Sequence, residues 1–134
     1  LKLGEAILEK EHLKQHLDLL EARLRDDHEK GSPLAHLREE LQRTANRWRD
    51  LQIAISWTEQ QVAIGGLSLG SYYIRRRVLE VLGKIMEPVD REKADEYLDA
   101  AYEDNKLIEA AIWFVDLQVP SIKAPHENSE TEED

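Results

Sequence analysis

The residues best equipped for chemistry fall in three places. Glu9 and His12 stand three apart and His16 follows His12 by four, so one helical face would carry a carboxylate and two imidazoles. Di-iron carboxylate bundles take such a Glu-x-x-His pair from each of two helices, with a carboxylate from each of two others. The chain holds no second copy, and a solvated charged face explains the first one better. Glu92, Asp95, Glu96, Asp99, Glu103 and Asp104 form an acidic run. Small helical nucleotide pyrophosphatases hold magnesium with acidic residues at such spacings, and that chemistry needs inward carboxylates opposed by others on a second helix. Here Ala94, Leu98 and Ala101 claim the inward positions. A metal-dependent helical hydrolase is thus the alternative reading, and no cofactor is expected.

The third place is Arg75-Arg76-Arg77, directly after Tyr72-Tyr73-Ile74. Basic and aromatic residues together can bind nucleic acid. Three successive arginines point three ways on a helix, so pairing with acids of the first or fourth helix, in this or another subunit, is the expectation. No Gly-rich phosphate loop, Gly-x-Ser-x-Gly elbow, zinc motif or nucleophile triad is evident.

Four helices are expected to position these groups. A first helix over residues 2–28 carries Leu13, Leu17, Leu20 and Leu24 at alternating steps of four and three, the heptad signature. Lys10 interrupts its track, which puts the first turns at an edge. Gly31 offers a left-handed cap, and Ser32 with Pro33 suits the start of the next helix. A second helix over 33–62 has the strongest periodicity: Leu34, Leu37, Leu41, Thr44, Trp48, Leu51, Ile55, Thr58 and Val62. Its length of roughly 45 Å at 1.5 Å per residue exceeds the ~14 Å radius of gyration of a compact domain of this size, so the chain must be elongated. Residues 63–67 break the pattern. Ser68 would cap a third helix over 69–86. Val78, Leu79, Val81, Leu82, Ile85 and Met86 give that helix a wide apolar face, which predicts two neighbours and the deepest burial. Asp90 would cap a fourth helix over 91–117, with Asn105 on its core track. The expected fold class is all-α: elongated antiparallel helical hairpins, or a four-helix bundle with coiled-coil-like heptad packing, over residues 1–118. Residues 119–134 read as an acidic tail without fixed structure.

Composition agrees. Of 134 residues, 34% are charged and 41% hydrophobic, as a helical protein in water requires. The formal net charge is −10, and Glu127, Glu130, Glu132, Glu133 and Asp134 lie in the last ten residues. This balance argues against nucleic acid as a partner, since phosphate binding needs clustered cations. No cysteine is present, so there is no disulfide framework, and a cytoplasmic setting is expected. No stretch reads as a signal peptide or a membrane span.

Three stretches resemble the septicolysin-like family, small bacterial all-helical proteins of no assigned activity. Lys2-Leu3-Gly4-Glu5-Ala6-Ile7-Leu8-Glu9-Lys10 is similar to that family's opening. Ile55-Ser56-Trp57-Thr58, then Leu67-Ser68-Leu69 and Arg76-Arg77-Val78-Leu79, is similar to its centre. Ile108-Glu109-Ala110-Ala111-Ile112-Trp113, with Leu117, is similar to its close. The chain departs from the family pattern at Ser56, Glu59, Arg77, Glu109 and Ile112. The resemblance implies a helical-bundle fold and oligomeric assembly. Unbroken heptads on long helices imply partners on their own account. The expected function is therefore that of a non-enzymatic oligomeric assembly or interaction protein, a homo-oligomer with Trp57, Tyr72, Tyr73, Arg75, Arg76, Arg77 and Trp113 at its interfaces.

Overall fold

Lys2 has no side-chain acceptor for the open N–H groups of a helix, yet a helix begins beside it. Glu5 accepts from the Lys2 backbone N–H at 2.8 Å, and its charge suits the positive end of the helix dipole. The computed structural model describes residues 1–120; most of the expected acidic tail, residues 121–134, lies outside them. Four helices account for most of the described chain: α1 (Leu3–Lys30), α2 (Ala35–Gln61), α3 (Leu69–Met86) and α4 (Arg91–Phe114). The molecule is all-α apart from two short strands, β1 (Ala63–Ile64) and β2 (Leu67–Ser68).

The turns follow from local chemistry. Gly31 sits in the left-handed region at φ 72°, where a Cβ would be strained. Its N–H donates to the carbonyl of His28, and that of Ser32 to the carbonyl of Asp27. This six-to-one closure is the Schellman motif. It spends Ser32 on ending α1, so α2 starts two residues later than Ser32 as a cap would allow, with Leu34 at the cap position. Ser68 and Asp90 do cap their helices, accepting from the N–H groups of Ser71 and Lys93 at 3.1 Å each.

Residues 63–67, a break in the helical pattern, are a hairpin. β1 and β2 pair antiparallel with Ala63 opposite Ser68 and Ile64 opposite Leu67. Gly65 and Gly66 between them have φ of 58° and 85°, the two positive values that a type I′ turn requires.

The helices pair as two antiparallel hairpins. α1 lies along α2, with Glu9 bound to Arg47 near one end and His16 facing Glu40 at 3.4 Å nearer the other. α3 lies along α4, where Arg75 meets Asp104 and Gly83 meets Leu98. The hairpins touch each other far less extensively, through the start of α1, the end of α2, the start of α3 and the end of α4. Leu3, Ala6, Leu51, Ile55, Leu69, Tyr72 and Ile108 form the buried cluster there. The first turn of α1, expected at an edge, is therefore among the most buried parts of the chain. Lys10 does not interrupt this: Ala6 before it belongs to the cluster and Leu13 after it packs against the same cluster.

α4 ends at Phe114, three residues short of expectation, because the next residues leave the helix to pair with the start of the chain. The Leu3 N–H donates to the Val115 carbonyl and the Leu117 N–H to the Leu1 carbonyl, at 2.9 and 2.7 Å. Gln118 then binds α2: its N–H donates to the Thr58 hydroxyl at 2.8 Å, and Thr58 donates in turn to the Ala54 carbonyl. Trp113 stacks on Gly4 so closely that a Cβ there would lie 2.8 Å from its ring.

α3 is not the most buried element. Only Leu69, Tyr72 and Gly83 are buried along it. Its apolar face is wide, as the spacing predicts, but one half packs on α4 and the other half meets none of the described residues.

Candidate interaction surface

Successive helical residues turn by 100°, so two contacts fix the sides of the α3–α4 hairpin. Arg75 donates to the Asp104 carboxylate through Nε at 2.7 Å, and Arg76 donates to the Asn105 side-chain oxygen at 2.7 Å. These neighbouring pairs mark opposite sides. Val78, Leu82 and Ile85 follow Arg75 by three, seven and ten residues and so share its side. Ala100, Leu107, Ala111 and Phe114 stand at matching offsets from Asp104 and extend that side across α4. The result is an apolar stripe along α3 that continues onto the end of α4 near Phe114, while the start of α4 carries the exposed Lys93–Glu96 ion pair on that side. Along its outer edge Ile74 is 68% exposed, Val78 and Val81 51% each, and Ile85 58%. At its other end Phe114, 85% exposed, joins Leu107, Ala111, Val62, Ile64 and Val115 around a groove of about 320 Å³.

The charged pair in this face is closed. Asp104 is buried and its carboxylate is taken by Arg75, which also stacks over the Tyr72 ring at 4.9 Å. The bidentate contact raises the Arg75 pKa above its usual value. Among the described residues no buried side-chain nitrogen or oxygen lacks a hydrogen-bond partner.

The residues singled out from the sequence are dispersed. Tyr72, expected at a subunit interface, is instead buried in the chain's own core, and its hydroxyl donates to the Ile64 carbonyl at 3.1 Å. Its place at the start of α3, facing both hairpins, accounts for this. Arg75 and Arg76 are engaged within the chain, Arg76 also lying over the Tyr73 ring at 5.4 Å; Arg77 is exposed. Trp57 and Trp113 are 39% and 48% exposed. Trp57 lies with Ile53, Arg49, Gln52, Ser56 and Pro120 around a shallow cleft of about 540 Å³ on α2, away from the α3–α4 face. Ile74 and Leu107 carried no weight in the sequence. The signal was present for Ile74, which extends the Val78–Val81–Ile85 spacing by one further turn.

The imidazole and carboxylate groups do not converge. Arg47 takes both oxygens of Glu9 and holds its pKa below the usual carboxylate value. His12 is exposed and His16 faces Glu40. Along α4, Glu96 and Glu103 bind Lys93 and Lys106. Among the described residues no group of three or more His, Asp or Glu is placed to hold a metal ion, and no helix is long and apolar enough to cross a membrane.

Where the hairpins meet there is one unusual polar group. Glu59 is half-buried beside the start of α3, and burial raises its pKa, with Lys10 opposing. Tyr73 next to it is pushed up to about 12, by burial first and then by the charge of Glu59.

Comparison with protein-family models, curated proteins and solved structures finds no match for this chain.

Proposed function

We propose that this protein is a helical assembly module that acts by associating with copies of itself. The observation that carries this reading is the exposed apolar stripe of α3, with Phe114 at the end of α4. Branched aliphatic side chains more than half exposed along about three turns of one helix are costly in water unless something covers them. The four-helix bundle with heptad packing that the sequence suggests is then completed between chains, two helices from each. Trp57 and Trp113, large and partly exposed, are secondary anchors on the first hairpin and at the junction. The resemblance to septicolysin-like proteins carries the same expectation of helical oligomers, and the cysteine-free composition suits a cytoplasmic setting.

The clefts support no competing reading. They are shallow, and Asp50 and Glu80, which line two of them, are paired with Arg49 and Arg76. Sedimentation equilibrium of the full chain across a wide concentration range tests the proposal. Mass rising with concentration is expected, and a monomer throughout would reject it.

A further inference from the structure

The two hairpins meet over a small junction, and one carboxyl group lies in it without a partner. Glu59 stands two residues before the end of α2, and Gly70 is the second residue of α3. The first turn of α3 lies directly on Glu59: a Cβ on Gly70 would be 3.6 Å from the Glu59 carbonyl oxygen and 4.0 Å from its Cβ. Tyr73 and Arg76 follow Gly70 at steps of three and continue that face. Across the helix seams Glu9 has Arg47, Asp104 has Arg75 and Glu40 has His16. Among the described residues the Glu59 carboxylate has no such hydrogen bond or ion pair. We propose that the junction is a proton-operated clamp, in which protonated Glu59 holds α3 against the end of α2 and ionised Glu59 lets the two hairpins part.

The surroundings set the direction. From α1, Lys10 favours the charged form, but without an ion pair. From α3 come Tyr73 and Arg76. Tyr73 stays neutral at ordinary pH, its pKa being pushed up to about 12. Arg76 is occupied by the Tyr73 ring, the Asn105 oxygen and the Glu80 carboxylate. From α4, exposed Glu109 adds a second negative charge on the Tyr73 side. On α2 itself no other residue from Ile55 to Gln61 is charged. One distant cation does not offset burial of an unpaired carboxylate, and the Glu59 pKa is raised accordingly. Closing the junction therefore takes up a proton at pH between the ordinary carboxylate value and the raised one. Closure is firmest below that window and weakest above it. Glu59 and Gly70 flank the β1–β2 hairpin, so their separation sets the angle at which α2 feeds α3. Parting there leaves the Glu9–Arg47 and Arg75–Asp104 contacts within each hairpin intact.

The chain has no cysteine of its own, so Arg23→Cys on α1 and Glu87→Cys after α3, both exposed, can carry a donor and acceptor dye on the full-length protein. Single-molecule energy transfer at high dilution keeps self-association out of the measurement. One closed population is expected in acid, with a second population growing severalfold as pH rises from 4 to 8 and the helical circular-dichroism signal unchanged. Glu59→Gln, neutral at every pH, is expected to remain closed throughout. Lys10→Gln removes the opposing cation and is expected to enlarge the second population at neutral pH while leaving the acid distribution as it was. A single unchanging population in the otherwise unaltered labelled chain overturns the clamp. So does a pH response that survives in Glu59→Gln, where His12, His16, His28 and His36 still titrate. Helicity lost in step with the second population would make the change unfolding rather than parting, and a second population that shrinks in Lys10→Gln would contradict the charge of Glu59 as its cause; either result also rejects the proposal.

Discussion

Two side chains at the junction do opposite things to stability, and each can be read by one substitution. Thr58 is fully buried, and its hydroxyl accepts from the Gln118 N–H while donating to the Ala54 carbonyl. It fastens the segment after α4 to α2. Thr58→Val keeps the shape and removes the hydroxyl, which should cost about 1 kcal/mol by urea denaturation. Thr58→Ser should recover most of it. Glu59, one residue on, works against folding at neutral pH. Burial raises its pKa above the ordinary value of 4.5, so between that value and the raised one the folded state holds a proton that the unfolded state has lost. Stability contributed by Glu59 is greatest below the unfolded value and falls as pH rises through the folded one. Glu59→Gln should therefore be more stable than the parent at pH 7. The gain should vanish as the pH falls below the ordinary carboxylate value, and thermal melting over a pH series would show it. A gain that persists in acid would mean that the charge of Glu59 is not the cause.

At the scale of elements, the hairpin of β1 and β2 turns α2 into α3 in very few residues. Both of its glycines have positive φ, but their substitutes differ. Asn tolerates the first position of a type I′ turn, and Asn-Gly is its favoured pair. Gly65→Asn should thus be neutral or slightly stabilising. Gly66→Val puts a branched side chain at φ 85° and should cost ~1–3 kcal/mol, measured by the same denaturation curves. The paired glycines signalled such a turn, yet the strands they join are only two residues each, too short for an alternating pattern to register. Helix number and most ends were legible, because caps such as Gly31, Ser68 and Asp90 act locally. Two ends differ: α2 starts late because Ser32 closes α1 instead of capping α2, and α4 stops at Phe114 because residues beyond it pair with Leu1 and Leu3. The role of Tyr72 was hidden for the same reason, since nothing nearby distinguishes it from the half-exposed Tyr73. The apolar face of α3 was visible in full, but periodicity says which side of a helix is apolar and not whether anything covers it. The candidate surface was therefore read as core.

The whole molecule is two hairpins joined at their bases, so its resistance to opening should be graded along each of them. Every buried cluster residue lies at the junction, where both hairpins and residues 115–118 contribute. Away from it each hairpin is held by a single seam between two helices: Leu20 and Leu37 on the first, Ala94 with Gly83 and Leu98 on the second. A two-helix seam buries one stripe of each helix and leaves the opposite backbone close to water, which favours local opening. Amides of α2 from Leu51 to Thr58, the start of α3 and the end of α4 should exchange hydrogen most slowly, at rates limited by global unfolding. Those flanking Gly31 and Pro88 should exchange fastest, with intermediate protection between. The proposed self-association through α3 should alter the second hairpin most. On raising the protein concentration, protection should increase along Ile74–Ile85 and not along α1, which separates the contribution of the partner from that of the fold. Equal gains on both hairpins would place the contact at the junction instead, and would assign the exposed stripe of α3 no part in assembly.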